Sequence, residues 1–372
     1  MTLDAGRPRV TRLLGADYLL PTWYPRAALV GLAALDRARR TVAAPRPTRP
    51  RPALGRATIA IVKPDHLGDL LQATPLLRAL RTQLPQARLV LVHGSWTREL
   101  AEWLVAHDYA HERVEHDMAW LHPPGTPWAT RLAADRATRA SAAARLRALG
   151  TDVLLDVRCT SPNALPLARL VPDAWRAGFG LRGGAWEYDA RIAYDERAAL
   201  PQSWLHALDV LGLAPVRYEG PVLPTTTAPG VDAPIVVQCG SRTAAKEPPP
   251  ETWRTLLPTL AALAPVHLVG AAGDRARATF LVALAPGRIV NRCGETTLAE
   301  LITLVGGARA VVGTDSVAAT IGLGHRRPTV VLARDGMGSA SVPHDVPSLR
   351  IVRDDAPPAA VIAALHDAGL AP

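Results

Sequence analysis

From residue 57 onward the chain keeps one rhythm: a short apolar run, a polar or glycine-rich break, then a stretch of helical period. The apolar runs predict strands at 57–63, 88–93, 112–116, 152–157, 234–239, 265–269, 287–290, 309–313 and 328–332. Helical periodicity predicts helices at 68–83, 95–106, 128–149, 162–170, 203–212, 251–263, 273–284, 297–305 and 315–323. A last helix is expected at 357–369, behind Pro357-Pro358. Short apolar strands alternating with helices imply parallel sheets covered on both faces. The rhythm lapses once, over the Pro-, Thr- and Gly-rich stretch 214–234.

These patterns predict an α/β chain of two doubly wound, Rossmann-like domains facing a cleft. The domains are placed at 57–222 and 232–350, with a linker at 223–231 and a terminal helix within 351–372. Ligands of such sheets sit beyond the carboxyl ends of the strands, so chemistry is expected in the loops that follow strands.

Residues 1–56 stand apart. They hold eleven Arg and three Asp, a balance of +8 in a chain whose total is +9, so the remaining 316 residues are nearly neutral. No positive n-region follows Met1, and no secretory leader is expected. The apolar run 27–35 is too short to span a bilayer. With Leu29, Leu32 and Leu35 near one face, and Arg37, Arg39 and Arg40 at its end, the segment suits an amphipathic helix at a membrane surface. Tyr18, Trp23 and Tyr24 precede it, residue types that favour that interface. Packing of this helix on the body is the competing reading. Residues 44–56 read as an extended Pro/Arg linker. No aromatic-interleaved basic surface continues into the body, so nucleic acid is not expected as a partner.

Composition narrows the chemistry further. Cys159, Cys239 and Cys293 are far apart in sequence, with no His at ligand spacing, which argues against a disulfide framework or structural zinc and fits a reducing cytoplasm. Only Lys63 and Lys246 are lysines, against 40 arginines. A compact ammonium and a planar guanidinium are not equivalent at a phosphate, which draws attention to both positions.

Three loops could carry chemistry. The first, KPDHLGDLL over 63–71, ends a strand and starts a helix with Asp69 in its first turn. The helix dipole keeps a carboxylate ionised there, able to take a proton from a hydroxyl, although a plain helix-start Asp reads the same way. Pro75 should kink that helix. The second loop places Gly240, Ser241, Thr243 and Lys246 after a strand, a set that can surround a diphosphate. The third places Asp315 and Ser316 at a helix start, an anion site or an ordinary N-cap. Thr297 and Glu300 have capping-box spacing.

Together, in this order, these motifs resemble glycosyltransferase family 9, the ADP-heptose:lipopolysaccharide heptosyltransferases. The resemblance runs through Ile61-Val62-Lys63, Leu67-Gly68-Asp69 and Pro75-Leu76-Leu77-Arg78-Ala79-Leu80 in the first half. In the second half it runs through Gly240-Ser241, Lys246, Gly270, Gly294, Thr297 and Asp315-Ser316. It implies a GT-B fold and metal-independent, inverting transfer, with no cofactor beyond a nucleotide sugar, possibly ADP-linked, as co-substrate. It also implies catalytic roles for Asp69, as base on the acceptor hydroxyl, and for Lys246, at the leaving diphosphate. Gly240, Ser241, Thr243, Gly270, Asp274, Gly294, Thr297, Asp315 and Ser316 would line the donor; His66, Gly68 and Arg158 would meet the acceptor. The expected partners are the donor, a lipid-linked or cell-envelope glycan, and an anionic membrane at the cytoplasmic inner face. One departure stands out: Val317 and Thr320 occupy positions where the family usually has Gly and His. It motivates an alternative, a catalytically degenerate protein that binds a nucleotide sugar or glycan as a partner subunit.

Overall fold

The computed structural model describes residues 9–14, 16–20, 26–42, 47–122, 125–159, 164–181, 183–230, 232–241, 246–334 and 346–371. The chain divides into a unit spanning Arg7–Tyr218 and one spanning Glu219–Pro372.

The first unit opens with an antiparallel hairpin, β1 (Arg9–Leu13) and β2 (Ala16–Leu20), and helix α1 (Arg26–Val42). Neither strand is predicted from the sequence, because five-residue strands carrying Arg and Asp lack an apolar run. Then follow β3 (Thr58–Val62), α2 (Leu67–Gln72), α3 (Thr74–Gln83), β4 (Arg88–His93), α4 (Arg98–Ala106), β5 (Glu112–Glu115) and α5 (Trp128–Ala148). The unit closes with β6 (Val153–Asp156), α6 (Leu165–Ala168), β7 (Trp175–Gly178), β8 (Ala190–Arg191), α7 (Leu200–Leu205) and α8 (Ala207–Val210). All six strands β3 to β8 pair parallel, in the order β5-β4-β3-β6-β7-β8. The helix expected over 68–83 is two helices, with Pro75 in the first turn of the second, where its missing N–H costs nothing. β7 and β8 are additions to the expected pattern; β8 is too short to leave a periodic trace.

The second unit repeats the plan with β9 (Ile235–Gln238), α9 (Pro250–Leu263), β10 (Val266–Val269), α10 (Arg275–Val282), β11 (Ile289–Asn291) and α11 (Leu298–Gly306). It ends with β12 (Ala310–Gly313), α12 (Val317–Gly324), β13 (Thr329–Ala333), β14 (Leu349–Arg353) and α13 (Pro358–Asp367). Its sheet, also wholly parallel, runs β11-β10-β9-β12-β13-β14. β14 was not expected, since Arg350 and Arg353 interrupt its apolar positions. Helix α13 packs beside α9 in one core through Val361 and Leu365, so the terminal helix is part of this unit.

Both sheets reverse their strand order at one point, between β3 and β6 and between β9 and β12. Strand β3 is buried at all five positions and β6 at all four, as central strands covered on both faces require. Crevices at such reversal points are where doubly wound sheets bind ligands.

The N-terminal segment lies against the first unit. Leu19 donates its N–H to Leu181 O at 2.8 Å, and Val10 to Glu196 Oε1 at 2.8 Å. Asp36 holds α1 down: its Oδ1 accepts the Gly184 N–H at 2.7 Å, and its Oδ2 accepts the Tyr18 hydroxyl at 3.1 Å. Gly183 and Gly184 take positive φ, and a side chain at Gly183 would press on the Asp36 carboxylate. The apolar stripe expected to meet a membrane is divided. Leu32 and Ala33 pack against Tyr18, while Val30 and Leu35 are exposed. Trp23, Tyr24 and the Leu29 side chain lie outside the described residues.

Candidate active site

In the first unit the loops after β3 and β6 meet over a buried charge cluster. Lys63 Nζ donates to Asp65 Oδ2 at 2.9 Å, and the Arg158 guanidinium lies 3.1 Å from Asp65 Oδ1. All three side chains are buried, and the Lys63 ammonium also sits 3.7 Å from the Trp204 ring centroid. Burial pushes the Asp65 carboxyl up, but Arg158 and Lys63 outweigh it and hold the group below the usual carboxylate range. Next in the chain, the Trp96 indole donates to Asp65 O at 2.9 Å and lies between His66 and His122.

This cluster fixes the turn that delivers Gly68 and Asp69 to the start of α2, at the carboxyl end of β3. Asp69 is half-buried in the first turn, as expected. His66, also half-buried, stands at the N-cap and accepts the Leu70 N–H through its backbone carbonyl. The Arg158 guanidinium is buried against Asp65, a contact that helps to hold the β3 turn. Asp65, Trp96 and Trp204 went unnoticed in the sequence; two central-strand loops each ending in a charge, Lys63 and Arg158, were the available signal.

In the second unit the loops after β9 and β12 meet in the same way. Lys246 Nζ donates to Asp315 Oδ2 at 2.7 Å, so these two sequence-selected residues come together at the β9/β12 reversal. Close approach is built in here: a Cβ on Gly313 would lie 2.8 Å from Gln238 O. The Thr314 and Ser316 hydroxyls are buried without a hydrogen-bond partner beside this pair. Orphaned hydroxyls at a loop next to an ammonium are what an oxyanion ligand would satisfy. The loop after β9 is tied by Glu247, which accepts the Ser241 N–H at 3.2 Å and pairs with Arg277 at 2.8 Å. Thr243 lies outside the described residues.

Other expected donor contacts are engaged within the protein. Asp274 Oδ2 accepts the Ala271 N–H at 2.9 Å, and its carboxylate sits so close to Gly240 and Gly270 that neither could carry a Cβ. Gly294 has φ +68° and passes close to Ala272. Thr297 and Glu300 form the capping box of α11, with the Glu300 N–H donated to Thr297 Oγ1 at 3.2 Å. Thr297 thus caps its helix, and Asp274 braces its turn. At the start of α12, Gln238 Oε1 accepts the Ala318 N–H at 3.1 Å. Thr320 turns back along its own helix and donates to Ser316 O at 3.0 Å. Gln238 and Glu247 were missed by sequence reasoning because each reads as an ordinary strand-end or loop residue.

Among the described residues no group of three or more His, Cys, Asp or Glu side chains could hold a metal ion. Among them, too, no helix is long and apolar enough to cross a membrane.

Two six-stranded doubly wound sheets, each with its paired loops at the reversal point, define the GT-B class of α/β fold. Residues 223–332 match the model of glycosyltransferase family 9 (heptosyltransferase), in the part of the chain that carries the second half of the motif resemblance. The fold is similar to that of solved glycosyltransferases. A family 9 glycosyltransferase from Veillonella parvula superposes with a TM-score of 0.67 at 16% identity, over 87% of this chain and 94% of that one. The E. coli heptosyltransferase WaaC with ADP gives 0.64 at 18% identity, over 84% and 100%. E. coli ADP-heptose lps heptosyltransferase II gives 0.62 at 19%, over 84% and 98%. No curated protein matches the chain.

Proposed function

We propose that the protein is an inverting, metal-independent glycosyltransferase that moves a heptose or similar sugar from a nucleotide-sugar donor to a lipid-linked or cell-envelope glycan. The observation that carries this reading is the Lys246–Asp315 pair beside two orphaned hydroxyls, at the sheet reversal within the segment that matches family 9. An ammonium there can meet the charge that develops on a departing diphosphate. In the reaction, the acceptor hydroxyl oxygen bonds to the sugar's anomeric carbon while its proton passes to the Asp69 carboxylate. The bond from that carbon to the β-phosphate oxygen breaks, and its electron pair leaves with the nucleoside diphosphate. The similarity in fold to an E. coli heptosyltransferase seen with ADP favours an ADP-linked donor.

The exposed Val30 and Leu35 and the arginines of α1 support work at an anionic membrane, on the cytoplasmic inner face. A second reading, a nucleotide-sugar-binding subunit without turnover, draws on Thr320 being folded into its helix where a polar donor-side group is expected. Screening ADP-, GDP-, UDP- and dTDP-sugars for binding and for diphosphate release separates the two. Release with one nucleotide class supports the enzyme; binding of a sugar nucleotide with no release under any acceptor extract supports the subunit.

A further inference from the structure

The N-terminal segment encloses a cavity of its own against the first unit. It is about 720 Å³ and is walled by the β1–β2 hairpin, by α1 and by the loop after β7. Arg12, Arg37, Arg40 and Arg191 line it, along with Asp17, Asp36 and the Trp186 ring. Both carboxylates are engaged. Asp17 faces Arg191 at 3.5 Å, and Asp36 takes the Gly184 N–H and the Tyr18 hydroxyl. Arg12, Arg37 and Arg40 are left with no ion pair to any described residue.

Three guanidiniums held around one cavity repel one another unless an anion joins them, and the planar fork of Arg suits phosphate oxygens. The volume is that of a small-ligand site. Its position is informative as well. Ala185, Trp186 and Arg191, which follow β7, contribute part of its wall. β7 is two strands from β3, roughly 10 Å across the sheet.

We infer that this arginine cavity is a phosphate-binding site, separate from the donor loops, that takes a phosphomonoester or diphosphate group. When the ligand is the acceptor, this deepens the transferase reading: the cavity would grip a phosphate of the molecule whose hydroxyl Asp69 activates. The binding itself does not depend on that reading.

The test uses the full-length protein, with ADP saturating so that the Lys246 loop is occupied. Inorganic diphosphate is titrated calorimetrically, and flotation is measured with phosphatidylcholine vesicles with and without phosphatidylglycerol. The R12Q/R37Q/R40Q variant should lose at least tenfold in diphosphate affinity or in phosphatidylglycerol-dependent flotation. R40K should keep most of it, and R56Q should leave it unchanged. These arginines are exposed, so an unchanged thermal melt is expected and guards against misfolding. Flotation displaced by diphosphate identifies a lipid headgroup as occupant. Diphosphate binding without flotation identifies a phosphate carried by the acceptor or by a soluble molecule. The inference is overturned if the triple variant binds within twofold of the parent. It is equally overturned if R56Q, an exposed arginine remote from the cavity, loses as much.

Discussion

Lys246 and Asp315 are joined at 2.7 Å across the loops that follow β9 and β12, the two strands flanking the reversal of the second sheet. The carboxylate holds the ammonium in place and partly offsets its charge, and under the proposed function a departing diphosphate would draw on that ammonium. K246A should therefore lower kcat/KM by about 100-fold, the scale of losing one stabilising donor from an active site. It should weaken ADP binding as well. K246R should fail to restore activity, because a planar fork cannot replace a compact ammonium in a loop this tightly tied. Parent-like kinetics for K246A would remove Lys246 from the reaction.

For Asp69 the expectation is different in kind. A general base contributes about 10²- to 10⁴-fold, and its loss leaves ground-state donor contacts alone. D69N should lower kcat by that amount while ADP affinity stays within twofold. If D69N instead loses donor binding, or unfolds at a lower temperature with kcat kept, Asp69 is a helix-start residue and the base lies elsewhere.

The network beneath that turn should be structural. Asp65 neutralises two buried cations, so D65N would leave Lys63 and Arg158 uncompensated in a dry environment. Removing one member of a buried pair costs about 3–5 kcal/mol. The D65N/K63M/R158M triple variant, which removes all three charges, should recover part of that loss. Denaturant unfolding of both variants measures the difference. A triple variant no more stable than D65N would show that shape, and not uncompensated charge, sets the cost.

Much of this was legible beforehand, and the exceptions have physical reasons. Buried parallel strands such as β3, β9 and β12 carry continuous apolar runs, so they announce themselves. β8 spans two residues, and β1 and β2 carry the charged residues Arg12 and Asp17, so they leave no apolar run. Among site residues, Lys246 and Asp315 could be found because a rare lysine and a helix-start Asp each stand out in their loop. That they touch was invisible, since 69 residues separate them. The contact between Arg158 and Asp65 was invisible for the same reason, since 93 residues separate them. Asp274 and Thr297 fit the motif order, and each also braces its own turn or helix. The α1 stripe was read as one face, yet Asp36 rotates the helix so that Leu32 docks and Leu35 does not.

Acid should act on the first unit in two stages, and the sign of each follows from where the folded group titrates. Burial lowers the His116 pKa from 6.5 to about 4, with Asp135 and Asp117 opposing the shift and Arg139 and Arg158 adding to it. The unfolded chain thus takes a proton that the folded one refuses. Stability from His116 is complete above pH 6.5 and is lost as the pH falls from there towards 4. A gap of that size corresponds to about 3 kcal/mol. Burial lowers His93 as well, so it contributes in the same direction. Asp65, held below the usual carboxylate range, acts later. Its stabilisation is full above about pH 4 and fades only in stronger acid. Urea unfolding of the full chain at half-unit steps from pH 8 to pH 3.5 should show a decline that begins near 6.5. H116Q should make the stretch between 6.5 and 4 shallower, with His93, His111, His267 and His325 keeping part of the slope, and leave the decline below pH 4 in place. A parent curve that is level down to pH 4.5 would mean that His116 is protonated in the folded protein.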